Sequence, residues 1–240
     1  MPTVQANGIG IYYESQGSGR PLLLIGGLGS DITLLHGLIG GLIGGLAGGH
    51  RVIAFDNRGA GRSGKPDVPY TVEMMAADAA CLLDALSVER ADVVGISMGG
   101  KIALELALSD PGRVDHLVLI GASARARSGK VTMSWPMRLA GLLSLAGLLR
   151  GKYPQPDYAH QRQRAASGSY DAVGRLSQIG VPTLIAHGRK DRSVPFERAE
   201  QLHRGIPGSE LAAFRGGHLF FLLSERAALT DRIERFLGAR

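Results

Sequence analysis

Three observations predict an α/β architecture with a mostly parallel central sheet and helices on both faces. Apolar runs of strand length recur at 21–25, 51–55, 91–95, 115–121, 181–186 and 209–214. Helical patterns lie among them at 71–87, 98–109, 196–204 and 224–237. At 240 residues the chain is long enough to bury one such core as a single domain. Strands alternating with helices imply parallel pairing through crossovers. Ligands of such sheets sit beyond the carboxyl ends of the strands.

Taken in order, the elements begin with a hairpin. Thr3 to Ala6 and Ile9 to Tyr13 flank Asn7-Gly8, a type I′ turn signal. The strand at 21–25 is followed by a glycine-rich stretch from Gly37 to Gly49. Each interior glycine costs a helix about 1 kcal/mol relative to alanine. The four-residue repeat sets Gly40, Gly44 and Gly48 on one face, where backbones can approach closely. Small residues at that spacing also serve membrane helix pairs. The uncharged run from Ile32 to Gly49, however, is barely long enough to span and is rich in glycine. The expectation is a weakly stable, closely packed helix or an irregular loop.

The strand at 91–95 runs into Gly95-Ile96-Ser97-Met98-Gly99, a G-x-S-x-G pentapeptide that opens the helical stretch Met98 to Leu108. Strand, sharp turn and helix in that order describe a nucleophile elbow, which lifts a strained serine above the sheet. Glycines flank the serine because a Cβ there would strike the neighbouring strand or helix. A plain Gly-rich turn is the alternative, and the residues downstream decide between them. The strand at 181–186 leads into His187-Gly188-Arg189-Lys190-Asp191, and the strand at 209–214 leads into Gly216-Gly217-His218. Alone, Asp191 reads as a turn aspartate and His218 as a loop histidine. With the elbow, the order Ser97, Asp191, His218 assigns an attacking hydroxyl, a carboxylate that orients the imidazole, and a general base.

On these residues the chain resembles the α/β-hydrolase fold superfamily over nearly its whole length. It is most similar to small esterases, enol-lactonases and cofactor-free haloperoxidase-like serine hydrolases. The resemblance implies that Leu22 to Gly29 supplies an oxyanion loop, with Gly26-Gly27 where the family usually has His-Gly. The two oxyanion donors would then be the amides of Leu28 and Met98. Asp56-Asn57-Arg58-Gly59-Ala60-Gly61-Arg62-Ser63 looks like the family's D-x-R-G-x-G-x-S loop, whose role is mainly structural. The family also implies a core at 1–122 and 171–240, with a small helical cap inserted at 123–170.

The implied chemistry is cleavage of a carboxylic ester, lactone or thioester through an acyl-enzyme, with no metal or cofactor. Perhydrolysis and carbon–carbon bond hydrolysis can use the same triad. A non-catalytic small-molecule binder or receptor on this fold is the alternative of another class. Dehalogenase and epoxide-hydrolase chemistry need a carboxylate at the elbow, where this chain has Ser97.

Charge is concentrated. The segment 123–170 holds Arg125, Arg127, Lys130, Arg138, Arg150, Lys152, Arg162 and Arg164 against the single acid Asp157, while the whole chain carries +6. An apolar run from Trp135 to Leu149 lies among these cations. A solvated arginine surface, recognition of anionic substrates and contact with an anionic lipid surface all fit. Nucleic acid does not, because aromatics are few and no binding module is present. Gly95 to Ile102 nearly matches a phosphate loop, but Ile102 replaces the hydroxyl that would hold Mg²⁺. Gly59 to Gly64 matches G-x-G-x-x-G, yet Lys65-Pro66-Asp67-Val68-Pro69 cannot open the required helix. Cys81 is the only cysteine, so no internal disulfide forms, and its helical setting reads as a small hydrophobe. The first residues have neither a basic region nor an apolar stretch, which makes a cytoplasmic location the expectation.

Overall fold

A computed structural model describes residues 2–126, 152–153, 155–218 and 220–238. Its strands are β1 (Thr3–Ala6), β2 (Ile9–Gln16), β3 (Arg20–Ile25), β4 (His50–Phe55), β5 (Ala91–Ile96), β6 (Val114–Ile120), β7 (Thr183–Gly188) and β8 (Glu210–Phe214). They form one sheet in the order β1-β2-β4-β3-β5-β6-β7-β8. β1 and β2 pair antiparallel, as do β2 and β4, and the other pairs are parallel. Asn7 and Gly8 turn the first hairpin with φ of 46° and 78°, the positive values a type I′ turn requires.

Side chains alternate across the pleat and feed two cores. On one face Leu23, Ile25, Val93, Leu117, Leu119 and Ile185 pack with helices α2 (Val72–Ala85) and α3 (Met98–Ser109). On the other, Leu22, Leu24, Val94, Val118, Ile120 and Leu184 meet α1 (Ile32–Leu46) and the C-terminal α7 (Arg226–Gly238). Between β6 and β7 the described residues include α4 (Asp157–Ser169), and α5 (Glu197–Gly205) and α6 (Phe220–Ser224) lie beside β8 in sequence. Of the basic segment, Arg127, Lys130, Arg138, Arg150 and the run Trp135 to Leu149 lie outside the described residues. Cys81 is half-buried against the first core.

Several boundaries move by one to three residues. β7 begins after Pro182, whose carbonyl still accepts from the Leu117 amide, and continues to Gly188 because β8 pairs with it that far. The pattern at 224–237 starts its helix at Arg226, since the Glu225 carboxylate turns back to accept from the Arg215 and Gly216 amides.

The glycine-rich stretch is helical as far as Leu46, and Ala47 to Gly49 form a turn. Asp31 caps α1 by accepting from the Leu34 amide at 2.9 Å, and Leu35, Leu42, Ile43 and Leu46 anchor it in the core. The expected contact face was misplaced. A Cβ added at Gly40 or Gly44 would meet nothing within 4 Å. At Gly41 it would lie 2.8 Å from the Arg226 guanidinium, and at Gly45 2.7 Å from Thr230 Cγ2. The close approach is therefore to α7 and uses the neighbouring pair of glycines. The sequence repeat alone does not say which face turns inward. Among the described residues, no helix is long and apolar enough to cross a membrane.

Candidate active site

Ser97 stands at the end of β5 and at the N-terminus of α3, with φ 54° and ψ −111°. Positive φ in a non-glycine residue stores strain, and close packing holds it in place. A Cβ at Gly95 would fall 2.4 Å from Gly99 O, and one at Gly99 would fall 2.1 Å from Ile25 O. No side chain fits at either position, so β5, α3 and β3 can close on one another only around glycine. The Ser97 amide is tied to Ile120 O at 2.8 Å.

Three residues from three loops converge here. Ser97 Oγ lies 3.0 Å from His218 Nε2, and His218 Nδ1 lies 2.6 Å from Asp191 Oδ2. A carboxylate can only accept, so Nδ1 carries the proton and Nε2 is left to accept from the Ser97 hydroxyl. The Asp191 side chain is fully buried. Burial pushes its carboxyl up, but bonds from His187, His218 and the Val194 amide outweigh this and hold it well below the usual carboxylate range. The Ser193 and Val194 amides both donate to Oδ1 at 2.8 Å. Directly after β6 this chain has Gly121 and no carboxylate. A Cβ built there would lie 3.5 Å from the His218 ring.

His187 belongs to no motif in the sequence. This fully buried ring donates from Nε2 to Val194 O at 2.8 Å and sits 3.4 Å from Asp191 Oδ2. Its Nδ1 has no hydrogen-bond partner, in keeping with the proton on Nε2. Only its place four residues before the acid, at the end of the same strand, could have signalled it.

The loop after β3 lies against the elbow. A Cβ at Gly27 would be 3.5 Å from Ser97 Cβ. Its carbonyls are engaged, Gly26 O by Asn57 Nδ2 at 3.0 Å and Gly27 O by Ser30 Oγ at 2.7 Å. Gln163 of α4 is fully buried and bridges two loops. Its Oε1 accepts from Gly29 N at 3.0 Å, and its Nε2 donates to Arg58 O at 2.7 Å. Met98 is the first residue of α3, so its amide has no acceptor within the helix. Leu28, Ser97 and Met98 line one cavity of about 210 Å³, bounded elsewhere by residues that include Lys101, Arg125 and Arg198.

The Asp56 loop ties neighbouring segments together. Asp56 accepts from the Ile32 and Arg62 amides, both at 2.7 Å, and Arg58 pairs with the buried Asp78. Among the described residues no group of three or more His, Cys, Asp or Glu could hold a metal ion.

Comparison with known proteins identifies the family. Residues 20–153 match the family model described as the alpha/beta hydrolase fold. A relative from Azorhizobium caulinodans, named "Putative carbamate hydrolase RutD", is 32% identical, covering 92% of each chain. An esterase structure from Exiguobacterium antarcticum is 28% identical with a TM-score of 0.81, covering 99% of both chains. The enol-lactonase from Burkholderia xenovorans LB400 shares the fold at a TM-score of 0.83 and 23% identity, covering 99% of this chain and 100% of the other. The chain belongs to the α/β-hydrolase fold family and is a hydrolase.

Proposed function

We propose that the protein is a serine hydrolase that cleaves a carboxylic ester, lactone or thioester through an acyl-enzyme. The observation that carries this reading is the continuous path from Ser97 Oγ through His218 to a buried, ionised Asp191. Ser97 Oγ attacks the acyl carbon as its proton passes to His218 Nε2, and Asp191 stabilises the imidazolium. The carbonyl oxygen becomes an oxyanion that accepts from the Leu28 and Met98 amides. Collapse expels the alcohol or thiol, which takes the proton from His218. Water then attacks the acyl-enzyme, again giving its proton to His218, and the tetrahedral intermediate releases the acid with Ser97 Oγ reprotonated. No cofactor enters these steps. The name of the esterase from Exiguobacterium antarcticum supports an ester substrate.

Carbamate cleavage is the second reading, favoured by the name of the relative from Azorhizobium caulinodans. The same serine and oxyanion donors can act on a carbamate carbon. A fluorophosphonate probe should label Ser97 stoichiometrically and leave Ser97→Ala unlabelled. A panel of p-nitrophenyl esters, small lactones and aryl carbamates then separates the two readings. Stoichiometric labelling at a site other than Ser97 would overturn both.

A further inference from the structure

We propose that Lys101, Arg198 and Arg125 form an anion subsite beside Ser97, so that the preferred substrate is a small ester or lactone carrying a free carboxylate. This deepens the hydrolase reading and rests on it. The three cations come from separate elements, Lys101 from α3, Arg198 from α5 and Arg125 from the loop after β6, and all line the same cavity as Ser97. No Asp or Glu lies among its described lining residues.

Each cation keeps donors in reserve. Lys101 follows Ser97 by four residues, which sets it one helical turn along from the elbow. It is buried, with 6% exposure, and its ammonium donates to Ser167 O at 2.6 Å. That carbonyl belongs to the last turn of α4, where a cation is favoured. It engages one of three ammonium protons, and no carboxylate lies within ion-pair distance of Lys101 among the described residues. Arg198 bonds to the neutral Gln201 at 3.2 Å. Arg125 has a buried Nε without a hydrogen-bond partner, and its nearest acid, Asp171, is a 3.9 Å surface contact. Burial first, and the neighbouring Arg198 second, depress Lys101 to about 8.

A buried ammonium among guanidinium groups, without a counter-charge, is unfavourable unless an anion joins it. A substrate carboxylate supplies that charge. It can accept two parallel bonds from a guanidinium while Lys101 adds a point charge. The cavity as bounded by the described residues is smaller than the roughly 300–1,000 Å³ of drug-sized pockets. That size fits monoesters of short dicarboxylic acids.

The test compares mono-p-nitrophenyl glutarate with p-nitrophenyl valerate, a neutral ester of matched length. In the wild-type protein kcat/KM should favour the glutarate ester by about tenfold or more. Lys101→Met and Arg198→Gln should each collapse this ratio, mainly through KM of the anionic ester. Thermal shift gives a readout independent of turnover. Glutarate should raise the melting temperature of the wild type and of Ser97→Ala, and fail to raise that of Arg198→Gln. Equal kcat/KM for both esters with no glutarate stabilisation would overturn the anion subsite while leaving the hydrolase reading intact. Loss of fluorophosphonate labelling at Ser97 with glutarate stabilisation retained would overturn the hydrolase reading and leave the subsite standing.

Discussion

Two aspartate–histidine pairs, each on a buried aspartate, stand at opposite ends of the same sheet. At the carboxyl end, Asp191 Oδ2 meets His218 Nδ1 at 2.6 Å. At the amino end, Asp92 Oδ1 meets His116 Nδ1 at the same 2.6 Å. Contact geometry alone does not distinguish them; their surroundings do. His116 is buried edge-on against Phe236, and Asp92 has Arg20 and His50 within 3.4 Å. Among the described residues no serine, threonine or cysteine hydrogen-bonds to either. His218 faces a strained serine on the wall of a cavity that carries cations. A carboxylate–imidazole pair becomes chemistry only where the fold adds a lifted hydroxyl and room for an acyl group. At the other end the same pair satisfies buried charge between neighbouring strands.

The contrast can be attacked by substitution. Ser97→Ala should lower kcat by about 10³- to 10⁶-fold with the far-ultraviolet circular dichroism unchanged. Asp191→Asn should lower kcat by about 10³- to 10⁴-fold with little change in KM, because the amide favours the wrong imidazole tautomer.

A smaller effect sharpens what the catalytic end adds. As pH rises through about 8, free Lys101 loses its charge. The ratio of kcat/KM for the anionic to the neutral ester should therefore fall above pH 8, while dependence on the shared base cancels in the ratio. A ratio flat from pH 6.5 to 9.5 would remove Lys101 from anion recognition.

Last, Asp92→Ala should leave kcat/KM within about threefold and cost stability instead. The expected loss is about 1–3 kcal/mol, from leaving the buried His116 donor unpaired. Denaturant titration measures it. A fall in kcat as deep as that of Asp191→Asn would break the distinction between the two ends.

Local chemistry made much of this legible in the sequence. The Asn7-Gly8 turn, the glycines around Ser97 and the apolar strand runs each answer to a rule acting within a few residues. Ser97, Asp191 and His218 could be picked out because each follows a strand end, and parallel strands bring such ends together. What stayed hidden depends on rotation and on partners distant in the chain. The inward face of α1 is decided by Arg226 and Thr230, some 185 residues away. Lys101 read as part of a failed phosphate loop, and only the return of α4 and α5 sets it in a cavity. His187 gained meaning once the turn to Val194 closed around Asp191.

Gln163 and Ser167 lie on one thirteen-residue helix, α4. Through Gln163 that helix holds the backbone at Gly29 and Arg58, and through Ser167 it holds Lys101. Insertions between two strands are where relatives can diverge without disturbing a sheet. Here an exchange of α4, which lies between β6 and β7, would not be neutral for the proposed catalytic floor. It would release the loop carrying Leu28 and the cation beside Ser97 in a single evolutionary step. On the proposed function and subsite, selectivity and rate are inherited together, and a graft that changes one has to rebuild the other.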